Sequence, residues 1–152
     1  MRRSSTREQP DPVFFTDRDL GPTVAAALNA GGMRVEAYHQ HFQLDDVPDN
    51  EWLKLVGENG WIALSHNKGI RYERDELDDL MLHGVKAFFI IGKGPHPAFA
   101  AAVLRNLHKI KRLIRKQTEP FAAKIYQERD EVGIWITYQQ WLEARRSDGR
   151  RR

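Results

Sequence analysis

Short apolar runs alternate with longer amphipathic stretches along the chain, the pattern of strands alternating with helices. Val13-Phe14-Phe15-Thr16 suits a buried strand, and Asp17-Arg18-Asp19-Leu20-Gly21-Pro22 then turns the chain. A helix is expected over Thr23 to Ala30, with Pro22 near its first turn and Gly31-Gly32 as its stop. Met33 to Tyr38 reads as a second strand and His39 to Pro48 as a loop. Asp49 is an N-cap candidate ahead of the stripe Trp52, Leu53, Leu55 and Val56, with Gly57 and Gly60 around the end of that helix. Trp61 to Ser65 is a third buried strand, followed by the loop His66-Asn67-Lys68-Gly69. Asp75 to His83 is helical with Gly84 as its C-cap, and Val85 to Ile91 is a fourth strand.

After the loop Gly92 to Pro97, one long helix is expected from His96 or Pro97 to Gln117, burying Phe99, Val103, Leu107, Ile110 and Ile114. Phe121 to Tyr126 and Val132 to Tyr138 form a hairpin around Glu128-Arg129-Asp130, and Gln139 to Arg146 is a short helix. The alternation predicts an α/β fold with a mostly parallel sheet and helices on both faces. Sites in such sheets gather in loops at the carboxyl ends of strands. Asp17 and Asp19 follow the first strand, His66 and Asn67 follow the third, and Asp49 opens the helix leading into the third.

Composition narrows the chemistry. The 152 residues suit one domain, and 41% apolar residues suffice for a core. Residues 1–12 read as a flexible N-terminal segment, 13–138 as the domain, and 139–152 as a short helix and basic tail. The absence of cysteine excludes disulfides, zinc–thiolate sites and a cysteine nucleophile, and fits a cytoplasmic protein. No apolar run approaches the roughly 18 residues of a membrane span, and the basic N-terminus has no apolar stretch of a secretory signal behind it. Gly92-Lys93-Gly94-Pro95 lacks the spacing of a phosphate loop, and no G-x-S-x-G elbow occurs. His39, His41 and His66 are either a zinc cluster or ordinary loop histidines, and the latter is the better reading.

Charge is unevenly distributed. Residues 13–96 carry a net −5 and residues 97–120 a net +5. Arg105, Lys109, Arg112 and Lys116 fall on one helix face opposite the apolar stripe. That face either tracks an RNA backbone or is the solvated side of an amphipathic helix. Asp17, Asp19, Asp49 and Glu51 are the candidate acidic group, since clustered carboxylates repel one another unless a cation lies between them. All-oxygen ligands suit Mg²⁺ or Mn²⁺, and metal-assisted phosphodiester hydrolysis is the chemistry that follows. Capping and turn formation are the competing explanation for the same residues.

The stretches FFTDRDLGPTVAAALNAGG, PDNEWLKLVGENGWIALSHNKGIRYERDEL and VKAFFII, in that order, resemble the short PIN-like domains, in particular the VapC-type toxins of toxin–antitoxin pairs. The likeness extends over roughly residues 13–126 and lies in the order and spacing of short motifs. It implies a PIN-like three-layer sandwich with a C-terminal hairpin and a Mg²⁺- or Mn²⁺-dependent endoribonuclease. Asp17 and Asp49 match metal-binding aspartates, with Glu51 as an assisting ligand or water-orienting group. The third acidic position of the pattern falls on Asn67, which can ligate a hard cation but carries no charge. Asp19, Asp75 and Glu76 are the nearest acids that could substitute for it. Lys68 and Arg71 would face phosphate and Tyr72 would stack on a base. The implied partners are RNA, a small antitoxin whose segment blocks the crevice, and a second copy in a homodimer or toxin–antitoxin hetero-oligomer. Asn67 also leaves open a catalytically impaired module that binds RNA or antitoxin without cutting. A non-nuclease α/β domain, using its carboxylates only as caps, is the remaining alternative.

Overall fold

A computed structural model describes residues 11–43, 47–66 and 74–150. The expected flexible segment therefore lies outside the described residues except for Asp11 and Pro12. The element order is β1 (Val13–Thr16), α1 (Gly21–Ala30), β2 (Arg34–Ala37), α2 (Tyr38–His41), α3 (Asp49–Asn59), β3 (Ile62–His66), α4 (Arg74–Leu82) and β4 (Lys86–Ile91). Then come α5 (His96–Arg105), α6 (Leu107–Lys116), β5 (Phe121–Tyr126), β6 (Val132–Thr137) and α7 (Tyr138–Arg150).

The six strands form one sheet in the order β2-β1-β3-β4-β5-β6. All neighbours are parallel except β5 and β6, which make the expected antiparallel hairpin. Successive side chains of a strand point to opposite faces, so the doublets Phe14-Phe15 and Phe88-Phe89 each divide between two core layers. Phe14, Leu64, Phe88, Phe99, Val103 and Ile110 belong to the layer that includes residues of α1, α5 and α6. Phe15, Trp52, Leu53, Leu80, Phe89 and Trp141 form the layer on the other face. Each such large side chain contributes about 1.5–3 kcal/mol on burial. The fold is thus an α/β sandwich of three layers.

Several boundaries differ from expectation. The long helix is two helices, broken at Asn106, whose backbone has φ −104° and ψ 11°. Asn106 is fully buried, and its Nδ2 donates to the Ala102 carbonyl at 2.8 Å. A polar side chain bonding back to the preceding turn bends a helix, a competition invisible to an apolar-stripe count. The second strand ends at Ala37, where the Gln40 side chain accepts the Ala37 N–H and starts the turn of α2. Pro48, not Asp49, is the N-cap of α3, and Asp49 is its first residue. Leu20, not Asp19, is the N-cap residue of α1, and it makes no side-chain cap bond. The C-terminal helix runs on to Arg150, through much of the expected basic tail. It is tied to α4 by the Trp141 indole N–H, which donates to Asp78 at 2.7 Å.

Gly57 shows how closely α3 packs on the end of α4. A Cβ at Gly57 would overlap the His83 carbonyl oxygen. Gly→Ala inside a helix ordinarily stabilises by about 0.5–1 kcal/mol. Gly57→Ala is expected to do the reverse, destabilising by roughly 1–3 kcal/mol through overpacking. Urea denaturation of the two proteins checks the sign.

Candidate functional site

The order β2-β1-β3 means that the chain leaves β1 in one direction and returns on its other side. Parallel sheets open a crevice at such a reversal, outside the carboxyl ends of the two strands. Asp17 is the residue just beyond β1, and its N–H continues the sheet ladder by donating to the Leu64 carbonyl at 3.1 Å. The backbone thereby fixes where its carboxylate emerges. Asp17 is 9% exposed. Its Oδ1 accepts the Asp19 N–H at 3.1 Å, and its Oδ2 accepts the Ser65 hydroxyl from the end of β3.

Burial pushes the Asp17 carboxyl up from the usual aspartate range to about 7. The neighbouring Asp19 charge pushes the same way, while the Ser65 hydroxyl and the N–H groups of Leu20 and Asp19 pull it back. Asp17, Arg18, Asp19, Tyr38, Val47 and Trp52 line a cavity of about 30 Å³, room for an ion or a water molecule. Arg18 lies 3.7 Å from Asp19. Val47 and Trp52 flank the start of α3, so the chain brings Asp49 to this end of the sheet. The Asp49 side chain lies outside the described residues, as do Asn67, Lys68, Arg71 and Tyr72.

Glu51 does not line the Asp17 cavity. It lines a separate groove with His41, Phe42, Lys54, Leu55 and Glu58. The three histidines weighed as a zinc cluster are also apart in function. His66 Nε2 bonds the Gly92 carbonyl at 2.8 Å and its ring packs 4.4 Å from that of Phe99, whereas His41 pairs with Glu36 at 2.9 Å. Among the described residues no group of three or more His, Asp or Glu side chains is placed to hold a metal ion.

The basic face of the long helix is divided. Arg105 Nε contacts Asp130 Oδ1 at 2.5 Å and its Nη2 donates to the Gln127 carbonyl at 3.0 Å. Lys109 donates to the Asp130 carbonyl at 2.6 Å. Both thus brace the β5–β6 turn, and Arg112 and Lys116 remain exposed on α6. Ser65 is the site residue that sequence reasoning passed over. Its place at the end of an apolar strand marked it as core, and only the parallel pairing of β1 with β3 puts its hydroxyl on Asp17.

A family model described as a PIN like domain matches residues 12–92, a span that holds β1 to β4, Asp17 and Ser65. No curated protein and no solved structure matches the chain.

The raised Asp17 carboxyl makes stability depend on pH. Between about 4 and 7 the folded protein keeps this proton while the unfolded chain has lost it, so stability falls as pH rises through that window. A displacement of about three pH units corresponds to at most about 4 kcal/mol. In metal-free buffer Asp17→Asn is expected to lack this component, leaving the variant near wild type at pH 4 and more stable at pH 8. Thermal melts of both proteins across that range measure the difference.

Proposed function

The chain belongs to the PIN-like domain family, and from that premise we propose that it is a Mg²⁺- or Mn²⁺-dependent endoribonuclease acting as the toxin of a toxin–antitoxin pair. The observation carrying the proposal is the buried Asp17 carboxylate at the sheet's reversal point, facing a one-ion cavity that Asp19 also lines. Two carboxylates in so small a space repel, and a hard divalent cation relieves both the repulsion and the burial cost. The described donors fit such an ion in kind, being carboxylate oxygens, and Asp49 and Asn67 would complete the set.

When bound, the ion supplies an activated water and stabilises the leaving oxygen of the phosphodiester. Asp17 and Asp49 hold it. Ser65 and the Asp19 N–H each hold one oxygen of the Asp17 carboxylate and so keep it in one orientation at the cavity it lines. Burial excludes water from the protein side of Asp17, which strengthens its attraction for a cation. Asn67 supplies a neutral oxygen at the third position, and Glu51, facing another groove, takes no direct part. Lys68, Arg71, Arg112 and Lys116 contact RNA phosphates. A small antitoxin segment covers the cleft, and the toxin assembles as a homodimer or with antitoxin. Among the described residues no helix is long and apolar enough to cross a membrane.

A second reading follows from Asn67. With one charge fewer, the site holds its ion more weakly and lacks a base at that position, so the chain would bind RNA or antitoxin without cutting. One experiment separates the two. With Mn²⁺ and a labelled RNA, cleavage is expected, lost with a chelator and reduced about 100-fold or more by Asp17→Asn. Asn67→Asp is expected to tighten Mn²⁺ binding by roughly 10-fold and to raise cleavage. RNA binding without cleavage in both proteins would assign the impaired module, and absence of both Mn²⁺ and RNA binding would overturn the nuclease reading.

A further inference from the structure

Two adjoining cavities of about 410 and 510 Å³ lie at the amino edge of the sheet, the edge opposite Asp17. Val13, Ile62 and Lys86, the first residues of β1, β3 and β4, are among their lining. Asp11 and Lys86 line both cavities, so they form one continuous groove. Its charge is lopsided. Arg34, Lys86, Lys111 and Arg115 line it, and Asp11 is the one carboxylate among the described lining residues.

The four cations come from three separate elements, β2, β4 and α6. Lys111 and Arg115 are four apart on α6, on a row distinct from that of Arg105 and Lys109. Lys86 donates to the Ile114 carbonyl at 2.9 Å near the end of α6, and burial holds its ammonium below the ordinary lysine value. A cation so placed gains from an anion brought beside it. Asp11 meets Lys111 at 3.5 Å, but its side chain is 70% exposed and is readily displaced. Trp61 is also among the lining residues, half-buried, with its ring packed parallel to Phe15 at 6.1 Å and tilted against His41 at 5.4 Å.

We propose that this groove binds the phosphodiester backbone of single-stranded RNA at a site separate from the catalytic cleft. Arg34 and Arg115 carry the planar forks that match phosphate oxygens. An aromatic residue beside cations is an arrangement on which unpaired bases stack. The groove and Asp17 lie at opposite ends of β1, roughly 13 Å apart for four residues. The choice of RNA rests on the nuclease reading, but binding here requires neither metal nor cleavage.

The test is made on Asp17→Asn protein in chelator, with a fluorescent single-stranded oligoribonucleotide at several salt concentrations, so that loss of catalysis does not confuse it. Lys111→Gln with Arg115→Gln should weaken binding about 5- to 20-fold and reduce the log–log salt slope by roughly 1.4, two phosphate contacts at about 0.7 each. Asp11→Asn should tighten binding about 2-fold, because it removes the competing carboxylate. Arg145→Gln with Arg146→Gln, the same charge change on α7, should leave both quantities near those of the parent protein. An unchanged slope in the groove variant, or an equal loss in the α7 variant, would overturn the proposal. So would poly-L-glutamate binding as tightly with the same dependence on Lys111 and Arg115, or inorganic phosphate displacing the RNA at low millimolar concentration. Cleavage by wild-type protein with Mn²⁺ is measured separately, so failure of the groove and failure of the nuclease reading give different results.

Discussion

The short strand β1, paired on both sides by parallel neighbours, is the constraint on which the site depends. Phe14, Phe15 and Thr16 are fully or almost fully buried, so this strand cannot shift register without exposing an aromatic side chain on one face or the other. Because β2 lies on one side and β3 on the other, the chain reverses direction at β1. Asp17 is held at that reversal by the ladder bond from its own N–H to Leu64. Its carboxylate is therefore placed by main-chain pairing rather than by side-chain choice.

That placement costs free energy. A carboxylate at this depth is desolvated, and one hydroxyl and the nearby N–H groups offset only part of the penalty, which is why its proton is held up to about 7. A protein selected only for stability would not keep an acid there. Strongly perturbed groups of this sort collect where charge is needed for chemistry, and the second acid at the cavity, Asp19, deepens the same imbalance. Both the electrostatic cost and the second acid fall at the carboxyl end of β1.

The basic segment is partitioned by the fold. The break at Asn106 ends α5 and lets α6 start afresh, and the cations along the two helices then serve different ends. Arg105 and Lys109 hold the Asp130 turn, while Lys111 and Arg115 face the amino-edge groove. Surface ion pairs like that of Arg105 with Asp130 contribute little each, but here one carboxylate and two carbonyls receive two long side chains, fixing a hairpin turn against a helix end.

The sequence by itself determined the strand–helix alternation, the parallel sheet and the closing hairpin, because apolar periodicity reports burial directly. Asp17 was legible for a related reason: a carboxylate at the end of a buried apolar run stands out, and its neighbours resembled those of PIN-like domains. Three features were decided only by tertiary structure. Ser65 reaches Asp17 across 48 residues because β1 and β3 are neighbours, an order that periodicity does not encode. Glu51 lines a groove with His41 and Phe42 instead of the Asp17 cavity, and which groove a face of α3 borders is set by the elements packed beside it. The amino-edge groove joins Arg34, Lys86 and Lys111 from β2, β4 and α6, residues separated by tens of positions. Local pattern reports which face of an element is buried, whereas a site is made by which elements become neighbours, and that is settled by long-range packing.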